Sequence, residues 1–242
     1  MAQKHEPTDT LEELESLGER LLGWVEANPV LVLAVAGAIL LGAAGFGGWR
    51  AWQSARADRA SSALAELRTQ YVVAMGGTAN DAKVPEPANP DTARSVRTEY
   101  VERFVELARA HGGTAAAALG RLEASEIYQK LGQPDRALEV LQQGAAAQRS
   151  DSPLRGILEA RIARLQENAG RFDDAARAYE AAASIQSYPL RIEALGDAAR
   201  CYAEAGQREA ALAIYAKLQT EAPDRHLEPH IEARLKELQA KP

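Results

Sequence analysis

The chain has 242 residues, a net charge of −6 and a single cysteine, Cys201. Alanine supplies 50 residues and aromatic side chains only 5% of the chain, which favours closely packed helices because strands prefer β-branched and aromatic residues. The single cysteine excludes an intramolecular disulfide and a multi-cysteine metal site, and the net acidity argues against a nucleic-acid-binding protein.

The acidity lies mainly in the N-terminal tail, residues 1–26, which hold two basic and seven acidic residues. Thr10 and Glu13 have the spacing of a capping box. Six apolar residues then recur, mostly at three- and four-residue steps: Leu11, Leu14, Leu17, Leu21, Leu22 and Val25. We therefore predict a short amphipathic helix with an acidic polar face, which either binds a basic partner or remains solvated.

The strongest signal in the sequence is a run without charge from Ala27 to Trp49. About 20 helical residues cross a hydrocarbon core of about 30 Å, so this run is long enough to span a membrane. Asn28 and Pro29 suit the start of a helix. Tryptophans flank the run, as an interfacial aromatic belt requires: Trp24, Trp49 and Trp52. A buried core helix and a cleaved signal peptide are the alternatives, but the length of the run and the acidic residues before it favour one uncleaved transmembrane helix at 27–49.

Small residues recur along this predicted span at Ala34, Ala38 and Gly42, with Gly45 on a nearby turn. Small side chains let two helix backbones approach closely in lipid, so this stripe is a candidate contact face for another membrane helix. The alternative is that alanine and glycine are simply common in such spans.

Residues 50–92 are predicted to form a helix that continues from the membrane, followed by a loop. The helical pattern extends from Trp52 to Met75 and ends at two glycines. The segment 78–90 contains three prolines, which predicts the loop. A further helix is predicted to begin near Asp91 and to lead into the last segment, 93–242.

Residues 93–242 contain a repeated motif. In each of three copies a glycine precedes an alanine by five residues, and the glycines are separated by 38 and 36 residues: Gly132, Gly170 and Gly206, followed by Ala137, Ala175 and Ala211. This resembles the tetratricopeptide repeat, a helical hairpin of about 34 residues in which the glycine permits the turn and the alanine lies where the helices cross. We predict an all-α protein: one N-terminal transmembrane helix followed by a tetratricopeptide-like helical-hairpin solenoid, closed by a C-terminal capping helix at 226–240.

The sequence offers little catalytic chemistry. It contains no phosphate-binding loop, nucleophile elbow or zinc-protease motif. His226 and His230 are four residues apart, but no third metal ligand is evident near them. Cys201 falls within the first helix of the third repeat, where a buried structural thiol is expected. We therefore predict no enzyme activity, no cofactor, no metal and no small-molecule substrate.

Repeat stacks of this kind bind protein segments through the face lined by the first helix of each hairpin. The repeat alignment places eight polar residues of mixed charge on that face: Glu126, Gln129, Lys130, Arg164, Glu167, Asn168, Arg200 and Glu204. They form either a peptide groove or an ordinary solvated surface. Their mixed charge differs from the lysine and asparagine clamp with which some tetratricopeptide proteins hold a chaperone's C-terminal carboxylate.

The whole arrangement resembles the YfgM-type ancillary subunit of the bacterial Sec translocon. The resemblance rests on the exit of the predicted anchor, Gly48-Trp49-Arg50-Ala51-Trp52, and on the stretches 60–65, 118–124, 141–144 and 160–165. It implies a single-pass inner-membrane protein whose repeat domain lies in the periplasm and links the translocon to periplasmic chaperones. The repeats are also similar to those of cell-division coordinator proteins, which leaves a structural scaffold for another envelope or cell-division assembly as the alternative.

The charges beside the predicted span give a conflicting topology. Near the membrane the N-terminal side offers only Arg20, whereas four arginines follow the span: Arg50, Arg56, Arg59 and Arg68. The positive-inside rule would leave the repeat domain in the cytoplasm. We predict the periplasm, as the resemblance implies, because a weak charge bias is sometimes overridden.

Overall fold

The computed structural model of the protein describes residues 23–81 and 83–222, together with residues 232, 233 and 237. Eight helices of at least 12 residues occur in this part of the chain: α1 Pro29–Ala74, α2 Pro90–Ala110, α3 Ala115–Lys130, α4 Pro134–Ala147, α5 Pro153–Asn168, α6 Phe172–Ala183, α7 Arg191–Glu204 and α8 Arg208–Glu221. No β-strand occurs among the described residues, which agrees with the predicted all-α class. The chain divides into two compact units, Met1–Ala55 and Arg56–Pro242.

Two predicted helices fall largely outside the described residues. The amphipathic helix of the tail is predicted over the pattern from Thr10 to Val25, of which only 23–25 are described, and these are helical. The capping helix predicted at 226–240 is described only at residues 232, 233 and 237, which are also helical. The pair His226 and His230 lies outside the described residues.

In the first unit, helix α1 exposes large apolar side chains over most of its surface: Val30, Leu31, Leu33, Val35, Ile39, Leu40, Leu41 and Phe46. By length and composition α1 is able to cross a membrane, although a signal sequence near an N-terminus passes the same test. The predicted span at 27–49 lies within α1 except for its first two residues. The Asn28 side chain donates a hydrogen bond back to the Trp24 carbonyl oxygen at 3.0 Å.

Helix α1 continues without interruption to Ala74, so the helix predicted from Trp52 to Met75 is its C-terminal part. Gly76 ends it in the left-handed region, with φ of +90°. Helix α2 begins at Pro90, where the Asn89 side chain accepts a hydrogen bond from the backbone N–H of Asp91 at 2.9 Å. Proline in the first turn and a side-chain cap together fix this helix start, because both suit the unpaired N–H groups there.

In the second unit the helices form four antiparallel hairpins, one more than the repeat motif predicts. Helices α3 and α4, α5 and α6, and α7 and α8 are the three predicted copies. The C-terminal part of α1 pairs with α2 through aromatic side chains, with the ring of Tyr71 5.4 Å from that of Tyr100 and 5.9 Å from that of Phe104. This hairpin has the same glycine turn as the others, but 15 residues separate its helices, so its spacing does not fit the repeat.

The turn glycines share one conformation. Gly132, Gly170 and Gly206 have φ of +72°, +73° and +75°, close to the +90° of Gly76. In each turn the next residue's N–H donates to the carbonyl oxygen four residues before the glycine, as from Gln133 to Tyr128 at 2.8 Å. Such a C-terminal cap needs a residue without a Cβ at positive φ, which explains why these positions carry glycine.

The repeated alanines lie in the core. Ala137, Ala175 and Ala211 are fully buried, and so are three small residues of the first helices: Ser125, Ala163 and Ala199. Each hairpin packs on the next, α2 on α3, α4 on α5 and α6 on α7. The buried side chains form two clusters, one around Phe104 and Leu158 and one around Tyr179 and Leu195. Small residues at the crossings let the helices approach closely, as the sequence predicts.

Candidate interaction face

The eight predicted binding residues lie on the first helices of the three repeats, α3, α5 and α7. Glu126, Arg164 and Arg200 each stand six residues before their turn glycine, so they occupy the same position on successive helices. Most of the eight are exposed, while Glu167 and Arg200 are half-buried. We call these eight residues the polar face.

An ion-pair cluster ties α5 to α7 within this face. The Arg200 guanidinium donates two hydrogen bonds to the Glu167 carboxylate, at 2.8 and 3.0 Å, and a third to Asp197 Oδ1 at 3.0 Å. The Tyr179 hydroxyl donates at 3.2 Å to Glu167 Oε2, one of the two oxygens that also accept from Arg200. A bidentate arginine pair of this kind holds two helices in one register as well as attracting them.

The pKa values of the two carboxylates in this cluster are shifted in opposite directions. Burial raises the pKa of Glu167, but the hydrogen bonds and charge of Arg200 outweigh it, so the pKa lies below its ordinary value. Burial raises the pKa of Asp197 above its ordinary value, and its one hydrogen bond from Arg200 does not offset this. The difference follows from the geometry, since Glu167 receives two of the three hydrogen bonds from the guanidinium.

Similar ion pairs join the other first helices. Arg161 of α5 contacts Glu126 of α3 at 3.3 Å, and Arg68 of α1 contacts Glu123 of α3 at the same distance. The partners Arg68, Glu123, Arg161 and Asp197 were not among the predicted residues. A signal for two of these pairs exists in the sequence, because glutamate and arginine recur 35 and 33 residues apart, close to the repeat length.

The residues of the polar face differ in their contacts. Glu126, Glu167 and Arg200 take part in ion pairs between successive hairpins. The amide of Gln129 donates to the Ser125 carbonyl oxygen of its own helix at 3.3 Å. Lys130 and Arg164 are exposed and form no ion pair with any residue that the structure describes. Their cationic groups are the most accessible ones on this face.

Replacing Glu167 with glutamine is expected to lower the free energy of unfolding by about 1 kcal/mol at pH 7, because solvent screens a side chain that is one quarter exposed. The folded pKa is depressed, so the stabilisation is fully present above the ordinary pKa of about 4.3 and is lost as the pH falls through the folded value. Urea unfolding of the detergent-solubilised chain at pH 7 and pH 3.5 measures this.

The matched control is Glu126→Gln, which removes one 3.3 Å contact from a half-exposed side chain and is expected to cost only a few tenths of a kcal/mol. An equal loss in both variants, or a loss for Glu167→Gln that does not shrink at low pH, would contradict the assigned role of the Glu167 carboxylate.

The predicted membrane contact face is exposed along α1. Ala34, Ala38, Gly42 and Gly45 all lie on its open surface. A Cβ added at Gly42 or at Gly45 would meet no atom within 4 Å. The stripe therefore has room for a neighbouring helix, and its role as a contact face remains a prediction.

Cys201 is fully buried in α7, as expected for a structural thiol. Burial raises the pKa of this thiol to about 12, since a thiolate would lose its hydration there. We expect the native protein to react with a maleimide at pH 7.5 far more slowly than the urea-unfolded chain, by at least about 100-fold. Time-resolved mass spectrometry of the labelled protein measures both rates, and equal rates would contradict the burial of Cys201.

No group of three or more histidine, cysteine, aspartate or glutamate side chains with the geometry of a metal site occurs among the residues that the structure describes. Within the polar face, Glu126 and Glu167 pair with arginines of neighbouring first helices.

Comparisons with known proteins give similar solved structures and one matching family. Two similar solved structures are those of the nearly identical TPR-like repeats of a proposed kinesin light chain from Podosopora anserina and of a single-substitution variant. Each is 20% identical to this chain, covers 72% of it with a TM-score of 0.47, and is itself covered to 86% and 85%. No curated protein sequence matches the chain. The family described as the tetratricopeptide repeat-like domain matches residues 23–240, and the chain, with its four glycine-capped hairpins, belongs to that family.

Proposed function

We propose that the protein is a membrane-anchored protein–protein interaction module, of the kind that the YfgM-type ancillary translocon subunit represents. The observation that carries the proposal is the exposed apolar surface of α1 in the first unit, in a chain whose second unit is a stack of hairpins. Tetratricopeptide-like stacks are generally non-catalytic scaffolds that bind protein segments. In this proposal the chain consists of an acidic tail at 1–26, a membrane span at 27–49, a connecting segment at 50–92 and repeats at 93–242.

The proposed partners are translocon subunits, periplasmic chaperones or client polypeptides. The polar face supports this proposal because Lys130 and Arg164 stay exposed while neighbouring charges pair with one another. Cationic groups of this kind would attract acidic segments of a partner. Glu126, Glu167 and Arg200 would shape the face by holding α3, α5 and α7 in register.

Site-specific photo-cross-linking in intact membranes tests the proposed function. A photoreactive residue at position 130 or 164 is expected to capture translocon or chaperone subunits, identified by mass spectrometry. The matched control is position 142 on α4, where Gln142 is also exposed but belongs to a second helix of a hairpin. Capture of the same proteins from all three positions, or of neither class from 130 and 164, would contradict the proposal.

Membrane attachment has its own test. The proposal expects the full chain to remain in the membrane pellet after alkaline carbonate extraction and to keep its N-terminal residues. Release into the supernatant, or mass spectrometry showing a chain cleaved near the apolar run, would instead indicate a signal peptide. A variant with two leucines of the run changed to arginine, at Leu33 and Leu40, serves as the control that should lose attachment.

The alternative is a structural scaffold for another envelope or cell-division assembly with its repeats in the cytoplasm. It is favoured by the four arginines that follow the span, since the positive-inside rule places them on the cytoplasmic side. Fusion of a reporter to the C-terminus distinguishes the two. A reporter that is active only in the periplasm supports the translocon-type proposal, and one that is active only in the cytoplasm supports the scaffold.

A further inference from the structure

A buried arginine lies in the first hairpin, away from the polar face. Arg97 of α2 is only 8% exposed. Its guanidinium forms an ion pair with Glu86, whose side chain is 61% exposed and belongs to the chain between α1 and α2. A buried guanidinium without a carboxylate is strongly unfavourable, so Arg97 requires an acidic partner from some source.

Two polar atoms beside this ion pair have no hydrogen bond to any residue that the structure describes. They are Nε of Arg97 and the hydroxyl oxygen of Tyr71, which is 2% exposed. Burial raises the pKa of Tyr71, and the guanidinium of Arg97 opposes this through its charge and through a hydrogen-bond interaction too loose to satisfy the hydroxyl. The two groups are therefore neighbours, and both present donors that a carboxylate could accept.

Glu86 comes from an insertion that the other hairpins lack. Their helices are joined by three residues, whereas residues 75–89 join α1 to α2. Val84 packs against the core cluster of the first hairpins, and a Cβ on Gly77 would lie 2.9 Å from Oδ2 of Asp81 and 3.1 Å from Cδ of Pro85. The segment Val84-Pro85-Glu86-Pro87 thus lies against the hairpin without helix or strand structure, and its glutamate reaches the buried arginine.

We propose that Arg97 and Tyr71 form a recognition site for the carboxylate of a proline-flanked glutamate, which the chain's own Glu86 occupies and which such a glutamate in a partner protein takes by exchange. The carboxylate of the partner would accept from the Arg97 guanidinium and from the Tyr71 hydroxyl. In the structure Glu86 uses one amino group of the guanidinium, Nη2, so Nε of Arg97 and the Tyr71 hydroxyl remain available to the partner's carboxylate. The site deepens the interaction function proposed above by adding a second contact with defined chemistry.

The test uses the full chain in detergent and a peptide with the chain's own sequence, Val-Pro-Glu-Pro-amide, which carries fluorescein on its N-terminus. In Glu86→Gln the tethered segment loses its charge, so the glutamate peptide is expected to bind this variant at least tenfold more tightly than it binds the unmodified protein. A peptide with glutamine in place of glutamate should bind Glu86→Gln at least tenfold more weakly than the glutamate peptide does. Fluorescence anisotropy measures all of these affinities.

Two further variants keep the outcome interpretable. Glu86→Gln combined with Tyr71→Phe retains the ring packing and is expected to weaken binding of the glutamate peptide about fivefold or more, while circular dichroism stays unchanged. Glu86→Gln combined with Arg97→Gln should abolish binding.

The proposal is overturned if Glu86→Gln binds both peptides equally. It is also overturned if that variant shows no saturable binding of the peptide up to roughly 10 mM. This limit lies above the millimolar effective concentration that is expected of a tethered segment. Either result would assign Glu86 to the fold alone. Cross-linking from positions 130 and 164 reports on a different face, so failure of the peptide test leaves that experiment to decide the proposed function.

Discussion

Replacing Phe104 with alanine is expected to lower the free energy of unfolding by about 3–5 kcal/mol, the range for removing a large buried aromatic side chain. Phe104 is fully buried in α2, and its ring meets the edge of the Tyr71 ring with centroids 5.9 Å apart. The pairing of α1 with α2 depends on this aromatic contact. Denaturant titration of the detergent-solubilised chain, followed by far-ultraviolet circular dichroism, measures the loss.

Phe172→Ala is the matched control, because Phe172 is the first residue of α6 and is only half-buried. We expect it to lose less than half as much stability as Phe104→Ala. Equal losses would mean that the cluster around Phe104 does not hold the first hairpin. A loss below about 1 kcal/mol for Phe104→Ala would contradict the packing described for α1 and α2.

Replacing Gly156 with alanine is expected to lower the free energy of unfolding by about 1–3 kcal/mol, although alanine is the better helix former. A Cβ at this position of α5 would lie 2.5 Å from Cγ and 2.7 Å from Cβ of Tyr188. Tyr188 is itself buried, so its ring cannot move aside without disturbing the contact of α5 with the chain before α7. The midpoint of urea unfolding measures the change.

Gly120→Ala is the control for this prediction. Gly120 lies in α3, and its added Cβ would meet its nearest neighbours at 3.5 Å, an ordinary contact distance. We expect this variant to be as stable as the unmodified chain or more stable by up to about 1 kcal/mol, from helix propensity. If Gly156→Ala were stabilising to the same extent, the close packing of Tyr188 on α5 would be wrong.

The repeat positions could be predicted because their physical requirements are local. A turn with positive φ requires glycine, and a close helix crossing requires a small residue, so Gly132 and Ala137 identify a hairpin without knowledge of its neighbours. The fourth hairpin was missed because 56 residues separate Gly76 from Gly132. The longer connection between α1 and α2, together with the greater length of α2, accounts for this spacing and hides the repeat.

The repeat alignment indicates where the residues of the polar face stand on their helices but not how they pair. The repeat alignment identifies residues that lie on the first helices, and it does so for Glu167 and Arg200. It does not show that these two bind one another, because an ion pair between helices depends on their separation and on side-chain rotamers. The same holds for Arg97, whose burial follows from the tertiary packing of α2 against its neighbours.

The ion pairs between hairpins also bear on how the protein folds while it is being synthesised. Arg136 with Glu102, Arg161 with Glu126 and Arg200 with Glu167 each join residues 33–35 positions apart, and no described ion pair skips a hairpin. During synthesis each new hairpin therefore meets a partner surface that has already left the ribosome. Folding can advance from the N-terminal helix outward one hairpin at a time, without waiting for the C-terminus.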